Sequence, residues 1–230
     1  MKRVIKIAID GPAAAGKSTV AKKIAQALDY MYIDTGAMYR ALTFRALQTN
    51  TPVDQESELV HILKKMSIKF KQIGDEQHVI LDGVDVTKDI REPEVTKHVS
   101  AVAKHEQIRE LMVKHQQQLA NQDGVVMDGR DIGTYVLPDA EVKIFLVASV
   151  TERAIRRHQE NVSRGFPSDL ELIKQEIIDR DLTDENRSVS PLVKAPDAIE
   201  INTTDLTSDE VVDKIIQIAS SRLTIKNNGE

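Results

Sequence analysis

A chain of 230 residues, with 41 % hydrophobic and 29 % charged side chains, suits one ordinary domain with insertions and is too apolar for a disordered chain. Four Phe, four Tyr and no Trp leave little from which to build a base-stacking platform, and the lack of Cys excludes disulfides, thiolate zinc sites and a cysteine nucleophile. A net charge of −5 opposes general affinity for nucleic acid or anionic membranes, so an arginine cluster here is expected to meet a small, local anion.

The first segment has a basic start and a short apolar run, residues 4–9, interrupted by Lys6. That run is too short for a signal peptide or a membrane span and reads as a strand, which leads to the expectation of a cytoplasmic protein. Immediately after it comes Gly11-Pro12-Ala13-Ala14-Ala15-Gly16-Lys17-Ser18, followed by Thr19, which fits G-x-x-x-x-G-K-[ST] without a gap. A helix over residues 17–28 follows, with Val20, Ile24, Ala27 and Leu28 at apolar positions. The glycines let successive N–H groups curl towards phosphate oxygens, and the helix N-terminus adds partial positive charge. Lys17 is placed to reach the terminal phosphates of a nucleotide and Ser18 to ligate Mg²⁺. A plain glycine turn before a helix is the competing reading, which the strand and helix on either side disfavour.

A strand over 30–33 and a helix over 37–47 come next, and Asp34-Thr35-Gly36-Ala37-Met38-Tyr39-Arg40 lies at their junction. Ligands collect at such strand ends in open α/β sheets, and Arg40 could clamp a phosphate; a capped helix with a surface arginine also fits. Residues 67–73 alternate with period two, and the short segments 78–81 and 84–86 follow the turns at Gly74-Asp75-Glu76 and Asp82-Gly83. They read as a small antiparallel meander, too short to bury its own core. Residues 125–127 form a buried strand that delivers Asp128-Gly129-Arg130-Asp131 to the same edge of the sheet. Asp128 sits where a carboxylate could support Mg²⁺ through water, although a salt-bridged turn would look the same.

After a further strand over 142–147, Ser149 with Glu152 and Thr207 with Glu210 match capping boxes at the starts of two helices. Between them lie Arg153, Arg156, Arg157 and Arg164, then Arg180, Asp184 and Arg187 at i, i+4 and i+7. Such a face fits a solvated ion-pair ladder, or a set of planar donors for transferring phosphoryl charge. The six histidines show no metal-ligand spacing. Missing Asn-Lys-x-Asp and apolar-run-Asp-Glu elements disfavour a GTPase or a transporter ATPase.

Taken in this order, the motifs resemble the bacterial-type cytidylate kinases, a branch of the nucleoside monophosphate kinases, over essentially the whole chain. Adenylate kinases look related at Thr35-Gly36, but Asp128-Gly-Arg-Asp131 stands where they carry Asp-Gly-Phe-Pro-Arg. The P-loop ends Lys17-Ser18 where many relatives have other small residues, and Thr35 stands for a Ser found in some. The resemblance implies an α/β fold with a central parallel sheet flanked by helices, plus a small antiparallel β insertion and a short helical lid. One P-loop domain is expected over 1–230, with an acceptor-binding insertion at about 34–98 and the lid at about 154–168.

The implied reaction is direct in-line transfer from MgATP to CMP or dCMP in pyrimidine nucleotide metabolism, by a monomer. Residues 11–19 would bind ATP, and Lys17, Arg130, Arg156 and Arg157 would be catalytic. Arg40, Arg130 and Arg187 would hold the acceptor phosphate. Ser100, Arg109 and Asp131 would read the cytosine edge, and Tyr39, Arg180 and Asp184 would meet the sugar, with Thr35 beside them. Arg156, Arg157 and Arg164 would belong to the lid. Ser18 would hold Mg²⁺, with Asp34 or Asp128 supporting it through water. The rivals are another acceptor (UMP, AMP or shikimate) and a regulatory switch, which would release phosphate without an acceptor.

Overall fold

The computed structural model describes residues 4–74, 76–121 and 124–225; Asp75, in the expected Gly74–Glu76 turn, and the basic residues Lys2 and Arg3 lie outside these. In chain order the elements begin with β1 (Lys6–Asp10), α1 (Lys17–Leu28), β2 (Met31–Asp34), α2 (Thr35–Gln48) and α3 (Glu56–Lys65). The meander follows as β3 (Ile68–Ile73), β4 (Glu76–Leu81) and β5 (Val84–Asp85), then α4 (Pro93–Ala103) and α5 (Glu106–Leu119). The last third holds β6 (Val125–Gly129), β7 (Val142–Val147), α6 (Val150–Ser163), α7 (Leu170–Asn186), β8 (Ile199–Asn202) and α8 (Ser208–Ile225).

These elements divide into two compact units, one drawn from residues 1–33 and 117–230, the other from 34–116. The first holds a five-stranded sheet in the order β2-β6-β1-β7-β8, in which β1 runs parallel to β6 and β7, and β7 to β8. Connections between parallel strands need crossovers, and here helices supply them, covering both faces. The central strands therefore read as continuous apolar runs: Ile7 and Ile9 on β1, Val126 on β6, and Ile144 and Leu146 on β7 are all buried. Val20, Ile24, Val211 and Ile215 from α1 and α8 complete this aliphatic core.

In the second unit α2 packs on α3 and α4. The β3-β4-β5 meander is antiparallel, as its alternation predicts. Asp82 and Gly83, at φ 50° and 88°, make its second turn, the double left-handed geometry that Asp-Gly supplies in two-residue hairpins.

The two capping boxes differ. Thr207 and Glu210 form a complete one: the Thr207 N–H donates to Glu210 Oε2 at 2.8 Å, and the Glu210 N–H to Thr207 Oγ1 at 3.3 Å. At Ser149 half of the expected box is missing. Ser149 Oγ accepts from the Glu152 N–H, but the Ser149 N–H goes to Thr204 Oγ1 and Glu152 is drawn to Arg156 at 2.9 Å. The i+7 position also needs correcting. α7 ends at Asn186, and Arg187 lies just past it in extended conformation (ψ 144°), so it is a C-cap residue, not a member of the helix face. Among the described residues no helix is long and apolar enough to cross a membrane.

Candidate phosphate-transfer site

The phosphate loop joins the end of β1 to the start of α1, and its backbone is shaped by close approach. Gly11 has φ 146°, and a Cβ there would stand 2.1 Å from the Leu146 carbonyl oxygen, so a side chain is excluded. Gly16, at φ 89°, makes the left-handed entry to α1. α1 has no side-chain cap and no acidic residue in its first turn, which leaves its N-terminal N–H groups for an anion.

Lys17 is buried at that N-terminus, its Nζ donating to the Pro12 carbonyl at 2.6 Å. Burial, then the neighbouring Arg130, holds its pKa well below the ordinary lysine value; Asp128 opposes this, while Arg180 adds to it. A bound polyphosphate would set attraction against this repulsion and raise the lysine's pKa again. Ser18 Oγ donates to Asp128 Oδ2 at 2.8 Å, and Tyr32 Oη donates to Asp128 Oδ1 at 2.8 Å. A hydroxyl and a carboxylate oxygen so close are the hard donors that Mg²⁺ prefers, and they fit it.

β6 delivers the acidic and basic residues expected of it. Arg130 Nε donates to Asp184 Oδ2 at 2.9 Å, and the Arg187 guanidinium stands 3.6 Å from Asp184 and 3.9 Å from Asp131. Burial pushes the Asp184 pKa up, but Arg130, Arg180 and Arg187 together outweigh it and hold the carboxyl below its usual range. Arg180 is half-buried; desolvation, then Arg130, lowers its pKa to about 10, and its Nε has no hydrogen-bond partner among the described residues. Arg130, Asp131, Arg180, Asp184 and Arg187 thus converge within the first unit, around carboxylates too few to neutralise them.

The arginines expected in a lid separate. Arg156 donates to the Thr203 carbonyl at 2.6 Å and to Thr203 Oγ1 at 3.0 Å, and its Nη1 would lie 3.8 Å from a Cβ on Gly16. It is therefore at the phosphate loop. Arg157 and Arg164 both pair with Glu160, at 3.4 and 2.7 Å, towards the surface.

Within residues 34–116, Asp34 caps α2 by accepting from the Ala37 N–H at 2.9 Å, and its other oxygen pairs with Arg91 at 3.1 Å. Thr35 and Tyr39 are buried on α2, and Arg40 donates to Thr96 Oγ1 at 2.8 Å. Arg109 is almost wholly buried on α5. Its guanidinium stands 5.5 Å from the Tyr39 ring centroid and donates to the Ala103 carbonyl at 3.2 Å. Ser100 is half-buried on α4.

Sequence reasoning missed several residues. Asp10, the last residue of β1, accepts from the Ile132 and Gly133 N–H groups at 2.8 and 2.7 Å and so pins the turn that follows Asp131. Burial raises its pKa to about 6, against the lowering effect of those two bonds. Its place before Gly11, at the carboxyl end of a buried strand, was a usable signal. Tyr32, Arg91 and Thr203 carry no local signal, since partners 47 to 96 positions away define them only after folding.

A backbone cradle, a buried lysine, a hydroxyl–carboxylate pair and clustered arginines suit phosphoryl transfer between polyanions, where catalysis is positioning and charge neutralisation. Comparisons with known proteins agree. A family model described as cytidylate kinase matches residues 7–221. The chain is 61 % identical over 223 residues to a cytidylate kinase of Geobacillus sp. (strain WCH70), covering 97 % of this chain and 100 % of that protein. It is 58 % identical over 220 residues to a cytidylate kinase of Bacillus cereus (strain B4264), covering 96 % and 98 %. Among solved structures, an uncharacterized protein from Eubacterium ventriosum ATCC 27560 shares the fold at 16 % identity and a TM-score of 0.52, over 95 % of this chain and 99 % of that one.

Proposed function

Because this chain belongs to the cytidylate kinase family, we propose that it transfers the γ-phosphate of ATP to CMP or dCMP, giving CDP or dCDP. The observation that carries this reading is the buried Lys17 in the phosphate loop, crowded by Arg130 and Arg180 and so in want of a polyanion. Residues 11–19 hold the ATP phosphates. Lys17 neutralises charge that grows on the terminal phosphoryl group, and Arg156 and Arg157 add planar donors from the lid at about 154–168. Ser18 would hold Mg²⁺, with Asp128 as its support through water, and the ion would offset the charge of the phosphates. Asp34 is the weaker support, because its oxygens serve Ala37 and Arg91, whereas Asp128 already bonds to Ser18. The acceptor needs no general base: a phosphate monoester has a second pKa near ~6 and is already a nucleophile at neutral pH.

Arg40, Arg130 and Arg187 are assigned to the acceptor phosphate, and Thr35, Tyr39, Arg180 and Asp184 to the sugar side. Ser100, Arg109 and Asp131 are assigned to the base. Cytosine offers a donor at N4 and an acceptor at N3, and uracil reverses both. An ionised Asp131 only accepts and Arg109 only donates, so uracil would leave two polar groups unpaired, at about 1–3 kcal/mol each. The enzyme acts on small nucleotides as a cytoplasmic monomer.

A panel of nucleoside monophosphates assayed with MgATP tests this. CMP and dCMP should both turn over, with kcat/KM for CMP at least ~10²-fold above UMP. Asp131→Ala should narrow that ratio more than it weakens MgATP binding. UMP turnover within about threefold of CMP, a difference of only ~0.65 kcal/mol, would remove the cytosine-reading assignment. Phosphate release with no acceptor present would instead favour a hydrolytic switch.

A further inference from the structure

The middle of the phosphate loop is held from outside the loop. Ala13 donates its N–H to Asp181 Oδ1 at 3.3 Å, and its carbonyl accepts from Arg153 Nη1 at 3.1 Å. Arg153 and Asp181 are both buried and pair with each other through that same Nη1, while Arg153 Nε donates to the Ala148 carbonyl at 3.0 Å. The next loop residue, Ala14, sits at φ 58°, a left-handed conformation that a Cβ disfavours. Its side chain packs against Ala154 of α6 and Ile173 and Ile177 of α7. Two successive loop residues are thus fixed by one hairpin, the first through a buried ion pair and the second through apolar contact.

We propose that Arg153 and Asp181 are positioning residues for ATP, with the α6–α7 hairpin holding Ala13 and Ala14 in the loop shape that phosphate binding requires. The Ala13 N–H then serves Asp181, not a phosphate, and the following N–H groups towards Ser18 carry the anion. Without the pair, Ala14 relaxes to right-handed backbone and the cradle opens. The inference rests on the reading of residues 11–19 as the ATP site.

Replacing a buried ion pair with apolar residues of similar volume often leaves a fold as stable or more so, which makes Arg153→Met with Asp181→Leu the informative variant. Binding is read by titration with MgATP, and separately with CMP, on folded protein. The dissociation constant for MgATP should rise at least fivefold while that for CMP changes less than threefold. Adding Ala14→Gly should recover at least half of the loss on a logarithmic scale, because glycine adopts the left-handed conformation freely. General structural damage predicts no such rescue. A smaller loss for MgATP, an equal loss for CMP, or no recovery with Ala14→Gly overturns the proposal. If the double variant does not fold, Asp181→Asn takes its place, with an expected loss for MgATP of at least threefold and the same selectivity. Failure of the unmodified protein to bind MgATP would instead remove the ATP-site reading and this inference with it.

Discussion

The phosphate loop and the α6–α7 hairpin present hydrogen-bond donors by opposite means. In the loop the donors are backbone N–H groups, and eight contiguous residues specify their geometry: Gly11 because no Cβ fits against Leu146, and Gly16 because α1 starts left-handed. In the hairpin the donors are arginine side chains that look alike along the chain. Folding gives them different work. Arg153 is buried against Ala13 and Asp181, Arg156 reaches Thr203 beside the loop, and Arg157 and Arg164 share Glu160 near the surface. Backbone donors are specified where they stand, whereas a side chain's role waits for its neighbours.

Four substitutions sharpen this contrast, from the largest effect to the smallest. Lys17→Ala removes a side chain whose proposed role follows from the local motif. It should lower kcat by roughly 10²–10³-fold, about 3–4 kcal/mol, with the fold retained by circular dichroism. Near-normal turnover in a folded variant would take Lys17 out of the mechanism.

Asp10 tests the opposite case, a residue whose chemistry depends on distant chain. Its folded pKa of about 6 lies above the ordinary value of 3.8, so the folded state binds this proton more tightly than the unfolded chain does. The stability it contributes is therefore present at low pH and lost as pH rises through the folded pKa. The two-unit shift corresponds to about 3 kcal/mol. Urea unfolding of the parent and Asp10→Asn between pH 4 and 7 should show the parent's advantage declining up to about pH 6 and level above it. A flat difference would mean that Asp10 titrates as an ordinary carboxyl.

The helix caps give the smallest effect. Thr207→Ala breaks a reciprocal box and should cost about 1 kcal/mol. Ser149→Ala should cost less, because Thr204 still satisfies the Ser149 N–H. Equal losses would show that the missing half of the Ser149 box does not matter.

Much of the fold was legible because its signals are local. Buried parallel strands give apolar runs, so residues 142–147 were placed to the residue. The meander followed from period-two alternation, and its second turn from Asp82-Gly83. Predicted boundaries slipped where capping decided them: α2 begins at Thr35, not residue 37, because Asp34 accepts from the Ala37 N–H. Arg187 was expected on the α7 face, yet the helix ends one residue earlier and the guanidinium reaches Asp131 and Asp184 from the cap.

By itself, then, the sequence determined the phosphate loop, the alternation of strand and helix and the ordered motifs that mark the family, all of which depend on residue type and short spacing. Only the tertiary structure decided that Asp10 pins the turn after Asp131, that Asp34 is occupied by Arg91, and that Asp181 clamps the loop while Asp184, one turn later, gathers Arg130 and Arg187. The physical reason is burial. A carboxylate's charge, partners and pKa depend on which groups exclude water from it, and those groups lie up to 168 positions away along the chain.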